Sequence, residues 1–138
     1  MFEISIRKRL GAFELDVEFT APANQIIVLF GPSGAGKSLT LSSIAGFFTP
    51  DAGRIVADTR VLFDSDRQIN LLPQQRRIGL VKQDLALFPH LTVEQNIAYG
   101  LFRESAGRQH ARVQDLLRLV NLDGLAARYP AQLSGGQQ

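Results

Sequence analysis

Two stretches at the start of the chain alternate apolar and polar residues with period two. Phe2, Ile4 and Ile6 are separated by Glu3, Ser5 and Arg7, and Phe13, Leu15, Val17 and Phe19 by Glu14, Asp16 and Glu18. This pattern predicts two half-buried strands of an antiparallel sheet. The next apolar run, IIVLF at Ile26–Phe30, has no polar interruption, and is expected to be a parallel strand covered on both faces. A helix should begin within Gly36-Lys37-Ser38 and run to about Ala45, where Gly46 can end it, with Leu41, Ile44 and Ala45 as its apolar stripe. GRIVAD and TRVLFD predict two short strands, and Ile78–Val81 a further apolar one.

Beyond Pro89 the period changes. Thr92 and Gln95 have the spacing of a capping box. Val113, Leu116, Leu117 and Val120 follow the i, i+3, i+4, i+7 spacing of an amphipathic helix. Residues 1–89 are therefore expected to form a β subdomain with an α/β core, and residues 90–138 a helical subdomain.

Composition narrows the classes. The chain has 138 residues, enough for one domain with a sizeable core. Its 15 basic and 13 acidic residues give a net charge of +2, too even a balance for a nucleic-acid surface, and no nucleic-acid partner is expected. There is no cysteine, hence no disulfide framework or cysteine metal site. No apolar run approaches the roughly 18 residues of a spanning helix. The alternating N-terminus lacks the unbroken apolar middle of a signal peptide. A cytoplasmic location is expected.

The clearest chemistry follows IIVLF. Residues 31–38, GPSGAGKS, fit G-x-x-x-x-G-K-[ST] at Gly31, Gly36, Lys37 and Ser38, with a strand expected before and a helix after. A polyphosphate needs many donors around it. Backbone N–H groups from about Gly34 to Leu39 can turn inward where Gly34, Ala35 and Gly36 keep side chains out of the way, and Pro32 and Ser33 complete the loop. The helix N-terminus adds its positive dipole end. Lys37 supplies a full charge, and the Ser38 hydroxyl suits Mg²⁺, a hard cation that prefers oxygen. ATP with Mg²⁺ is the expected ligand. The loop alone leaves kinases, GTPases, recombinases and transport motors open.

The end of the chain narrows the class. Leu133-Ser134-Gly135-Gly136-Gln137 is a second anion-binding pattern, with a serine at an expected helix N-terminus and two glycines that let backbone N–H groups approach a ligand. It resembles the signature of the ATP-binding cassette (ABC) family. In that family the signature of one subunit closes over the γ-phosphate held by the phosphate loop of another. Gln83, just past the apolar run at Ile78–Val81, matches the Q-loop glutamine, which the resemblance assigns to Mg²⁺ and the attacking water. The apolar residues Leu85, Leu87, Phe88, Leu91 and Val93 can be plain core. In ABC importers the stretch Gln83–Tyr99 resembles the surface that docks the membrane permease. Among importers the chain is most similar to the ATPase subunits of molybdate transporters; sulfate, iron and polyamine importers are the alternatives.

The resemblance implies a P-loop NTPase (RecA-like) core with an N-terminal antiparallel β subdomain and a helical subdomain. It implies a homodimer of ATPase subunits at the cytoplasmic face of the inner membrane, driving a permease served by a periplasmic or extracellular solute-binding protein. The pattern also departs from the family. Phe13 is the nearest match to the aromatic that stacks on adenine, yet its alternation with Leu15 and Val17 equally makes it core. Leu39 stands where threonine is common. The family's Walker B strand, catalytic glutamate and switch histidine follow the signature, so the chain reads as a piece truncated before the Walker B strand. Such a piece is expected to be marginally stable and to show no ATP turnover. ABC ATPases of DNA repair or translation, and an inert fragment, are the competing classes.

Overall fold

The computed structural model describes residues 1–83 and 86–138. They form two compact units, Met1–Leu80 and Val81–Gln138.

In the first unit the alternating stretches form β1 (Phe2–Leu10) and β2 (Phe13–Ala21), an antiparallel hairpin in the register Ile4↔Phe19 and Ile6↔Val17. The apolar positions go inward as the pattern requires: Ile4, Ile6 and Leu15 are buried. β3 (Ala52–Ala57), β4 (Arg60–Asp64) and the short β5 (Ile69–Asn70) complete a sheet in the order β2-β1-β3-β4-β5, all antiparallel. Ile55, Leu62 and Phe63 join Ile4, Ile6 and Leu15 in its core. Helix α1 (Lys37–Ala45) packs Leu39 and Ile44 against this cluster. It ends, as expected, at Gly46, which adopts the left-handed conformation at φ 87°.

Three expectations need correction here. Ile26–Phe30 is not a strand covered on both faces. Among the described residues its backbone pairs with no strand, and Ile26, Val28 and Phe30 are 94%, 77% and 99% exposed. Ile27 and Leu29 point the other way and line, with Phe2, Ile4, Phe19, Ala21, Leu41 and Ile44, a cavity of about 170 Å³. The run keeps the period of a strand but lacks the neighbours that would cover its second face. Ile78–Val81 likewise forms no strand, and Val81 is exposed. The inward face of α1 is made by Thr40, Ser43 and Ala45 rather than by Leu41, which is exposed. The two hydroxyls can be buried because Thr40 Oγ1 donates to Gly36 O (3.0 Å) and Ser43 Oγ to Leu39 O (2.8 Å).

Asp51 closes the far end of the hairpin. Its carboxylate accepts from the Arg9 amide (2.9 Å) and from Lys8 Nζ (2.6 Å), and these contacts, the amide first, hold its pKa below the ordinary aspartate value. A depressed folded pKa contributes stability above the unfolded pKa and loses it as pH falls through the folded one. Asp51→Asn is therefore expected to lower the melting temperature at neutral pH, and to match the parent once pH drops below the folded pKa. Thermal melts at both pH values check this.

The second unit holds α3 (Val93–Tyr99) and α4 (Ala106–Leu119), after the one-turn helix α2 (Pro73–Arg76) of the first unit. Thr92 and Gln95 form the expected capping box: the Thr92 amide donates to Gln95 Oε1 (2.9 Å) and the Gln95 amide to Thr92 Oγ1 (3.3 Å). Val113 and Leu117 of α4 are buried against Val93, with Leu133 packed beside them. Val120 lies past the helix end and is exposed.

Candidate functional site: the phosphate loop and its companions

Gly31 to Gly36 lead directly into α1. Gly34 and Gly36 adopt positive φ of 82° and 87°, a region that L side chains avoid. At Gly36 the need is also steric: a Cβ there would lie 2.5 Å from Leu15 Cδ1 and 3.1 Å from Phe13 Cζ. The loop thus rests on the buried Leu15 of β2, and its last residue is both turn and N-cap of α1. No side chain caps the helix, and its first turn has no acidic residue. The positive end of the dipole and the first N–H groups are left to whatever binds the loop.

Lys37 arches back over the loop. Its Nζ donates to Gly31 O (2.8 Å) and to Pro32 O (2.7 Å), while the Ala35 amide reaches Pro32 O (3.3 Å). The charge is held at the mouth of the loop, next to the free helix end. Ser38 is exposed and Leu39 turns into the core. Pro32, Ser33, Gly34 and Ala35 are exposed, and Gly31 and Gly36 partly so. The structure brings these residues together in one exposed loop with a cation across it and a helix N-terminus at its end, an arrangement that can bind a polyphosphate. Phe13 is half-buried, packed on the sheet core, with its ring edge against Gly36.

The other predicted residues belong to the second unit. Gln83 is exposed in a turn. Leu85 lies outside the described residues. After it, Leu87, Phe88 and Leu91 are half-buried and Val93 is core. The Phe88 ring stacks at a tilt on Tyr99, with 4.3 Å between centroids. Asn96 ties this segment to α3: its Nδ2 donates to the carbonyls of Phe88, Leu91 and Thr92 (3.0–3.1 Å), and its Oδ1 accepts from the Phe88 amide (2.9 Å).

At the chain's end, Ser134 does not stand at the start of a formed helix. It opens a turn. The amides of Gln137 (2.9 Å) and Gln138 (3.2 Å) donate to Ser134 O, and the Ser134 amide donates to Gln137 Oε1 (3.0 Å). These are the bonds of a first helical turn. Leu133 anchors the turn on the second core, and Ser134, Gly135, Gly136 and Gln137 are exposed.

Sequence reasoning missed Asn96 and the buried Arg76. An asparagine within a helix, where it competes with the backbone, was the available signal for the first. Arg76 had none, because its acceptors are neutral and two of them are backbone carbonyls distant in sequence. Among the described residues no cluster of three His, Asp or Glu could hold a metal, and no helix is long and apolar enough to cross a membrane.

The chain is 44% identical over its full length to the "Molybdenum import ATP-binding protein ModC" of Rhodospirillum rubrum and 42% identical to that of Aliivibrio fischeri, covering 37% of each. It is 44% identical, over 96% of its length, to the "Sulfate/thiosulfate import ATP-binding protein CysA" of Synechococcus elongatus, covering 38% of it. The chain therefore spans less than two-fifths of these relatives. A solved dimeric ATP-binding cassette in a post-hydrolysis state, bound to ADP and Pi, superposes over 99% of the chain and 65% of its own length, with a TM-score of 0.79 at 28% identity. A family model described as "ABC transporter" matches residues 15–138, and the chain belongs to that family.

Proposed function

We propose that the chain is the phosphate-binding part of the ATP-hydrolysing subunit of an ABC importer, and that the imported solute is molybdate. The observation that carries phosphate binding is the loop itself: Lys37 poised across Gly31 and Pro32 at an uncapped helix N-terminus. The ModC relatives support molybdate. The CysA relative favours sulfate as the second reading.

In this proposal Gly34 to Leu39 donate backbone N–H groups to the phosphates of ATP, and Lys37 exchanges its two carbonyl acceptors for phosphate oxygens. Mg²⁺ fits the site through the exposed Ser38 hydroxyl, with the nucleotide's own oxygens as further ligands. When bound, the cation would neutralise the phosphate charge. The resemblance of Gln83 to a Q-loop glutamine is what supports its proposed role toward Mg²⁺ and water. Phe13, already against the loop at Gly36, takes the adenine.

Leu133 to Gln137 serve the nucleotide of a second copy, a role supported by the dimeric state of the structural neighbours. The Gln83–Tyr99 region, with the exposed Tyr99 beside Phe88, meets a membrane permease. The subunit then sits peripherally on the cytoplasmic face, and a solute-binding protein acts indirectly through the permease.

Uptake by cells tests the substrate. Deleting the gene should abolish high-affinity molybdate uptake and spare sulfate; the opposite outcome assigns sulfate. Ser134→Arg in a transporter carrying this chain should leave nucleotide binding intact and stop hydrolysis, because a bulky cation fills the place of the γ-phosphate. Normal phosphate release by that variant would overturn the proposed pairing of signature and loop.

A further inference from the structure

Arg76, the last residue of α2, is 3% exposed. An arginine is rarely buried without a counter-charge. Yet every acceptor that its side chain uses is neutral: Nε donates to Leu71 O (2.8 Å), Nη1 to Ser43 O (2.6 Å) and Ile44 O (3.0 Å), and Nη2 to Asn70 Oδ1 (2.9 Å). Among the described residues it forms no ion pair. Burial pulls its pKa below the ordinary arginine value.

Two of these acceptors are carbonyls at the C-terminal end of α1, where helices lack internal donors and favour a cation. The last turn of α1 has no basic residue of its own. Arg76 supplies that charge from outside and ties the helix end to the β5–α2 connection. Gly46 makes room for it, since a Cβ there would lie 2.7 Å from Arg76 Nε. The other end of α1 is seated on Leu15 through Gly36. Nine residues separate the two anchors, about 13 Å of helix.

We propose that Arg76 is a positioning residue for the phosphate loop: by fixing the C-terminal end of α1 to the sheet, it sets where the helix N-terminus and Lys37 point. Its effect on nucleotide affinity rests on the function proposed above, whereas its effect on the order of the loop does not.

The test compares the parent chain with Arg76→Met, Arg76→Lys and Lys37→Ala, below the melting temperature of each. Amide hydrogen exchange is read at Thr40, whose N–H donates to Gly36 O (2.8 Å), at Gly46 and Phe47, and at Ile4 and Ile6 of β1. Arg76→Met should speed exchange at Thr40 as well as at Gly46 and Phe47, with β1 unchanged. It should weaken Mg-ATP binding on the order of tenfold, with Arg76→Lys between it and the parent. Lys37→Ala should weaken binding while leaving Thr40 exchange as in the parent. Faster exchange confined to Gly46 and Phe47, or spread equally to β1, would overturn the positioning role. So would unchanged Mg-ATP affinity in Arg76→Met. Should that variant not fold, Asn70→Ala, which removes the Nη2 acceptor together with the Asn70 Nδ2 bond to Thr49 Oγ1 (3.3 Å), is read by the same criteria. If the parent binds no Mg-ATP, the function proposed above fails, and the exchange pattern still decides the coupling of Arg76 to the loop.

Discussion

Lys37→Ala is expected to weaken Mg-ATP binding roughly 10- to 150-fold, the equivalent of one charge-assisted hydrogen bond of about 1.5–3 kcal/mol. The structure adds a second effect. Lys37 also braces the loop through the carbonyls of Gly31 and Pro32, so its removal takes away both the cation and a tie across the loop. The side chain makes no other hydrogen bond among the described residues, and the melting temperature should change little. Titration with Mg-ATP, paired with a thermal melt, separates the two. Equal affinity in variant and parent would remove Lys37 from the site.

Gly36→Ala should cost both stability and affinity. A left-handed residue with a Cβ carries about 1–2 kcal/mol of strain. The new methyl would also meet Leu15 Cδ1 at 2.5 Å and Phe13 Cζ at 3.1 Å, and forcing extra volume against a packed core costs about 1–3 kcal/mol. Leu15 is 2% exposed and has little room to yield. A total of about 2–5 kcal/mol is a large share of the roughly 5–15 kcal/mol that holds a domain together. Denaturant melts should show the loss, and Mg-ATP binding should fall because the first turn of α1 is displaced. An unchanged midpoint would mean that the loop does not rest on Leu15.

Much of this was legible in the chain. The period-two stretches became β1 and β2 because each apolar residue had an inward place on one sheet. The spacing of Val113 and Leu117 predicted the buried stripe of α4, and Thr92 with Gln95 its neighbour's cap. Glycine and lysine spacing, with a helix expected after it, singled out Gly31–Ser38, and α1 does begin at Lys37. What stayed hidden has physical causes. IIVLF is apolar at every position, so nothing in it distinguishes Ile27 and Leu29, which face the sheet, from Ile26, Val28 and Phe30, which do not. Thr40 and Ser43 read as polar, yet each spends its hydroxyl on its own helix and is buried. Arg76 gave no signal because hydrophobic periodicity carries no information about neutral acceptors such as the Ser43 and Ile44 carbonyls.

The phosphate loop has two unlike supports. On the α1 side it is pinned by Gly36 on Leu15 and by Arg76 at the far end of the helix. On the side of Ile26–Phe30 the backbone has no ladder among the described residues. Fixing a residue's backbone costs about 1–2 kcal/mol of conformational entropy. A ligand that draws Gly31 to Ser33 inward must meet that cost for the entry half of the loop, while the exit half is already in place. In calorimetric terms, the heat released at the phosphates is set against an entropic penalty located at Gly31 to Ser33. A neighbouring strand laid along Ile26–Phe30 would tighten nucleotide binding without touching the nucleotide.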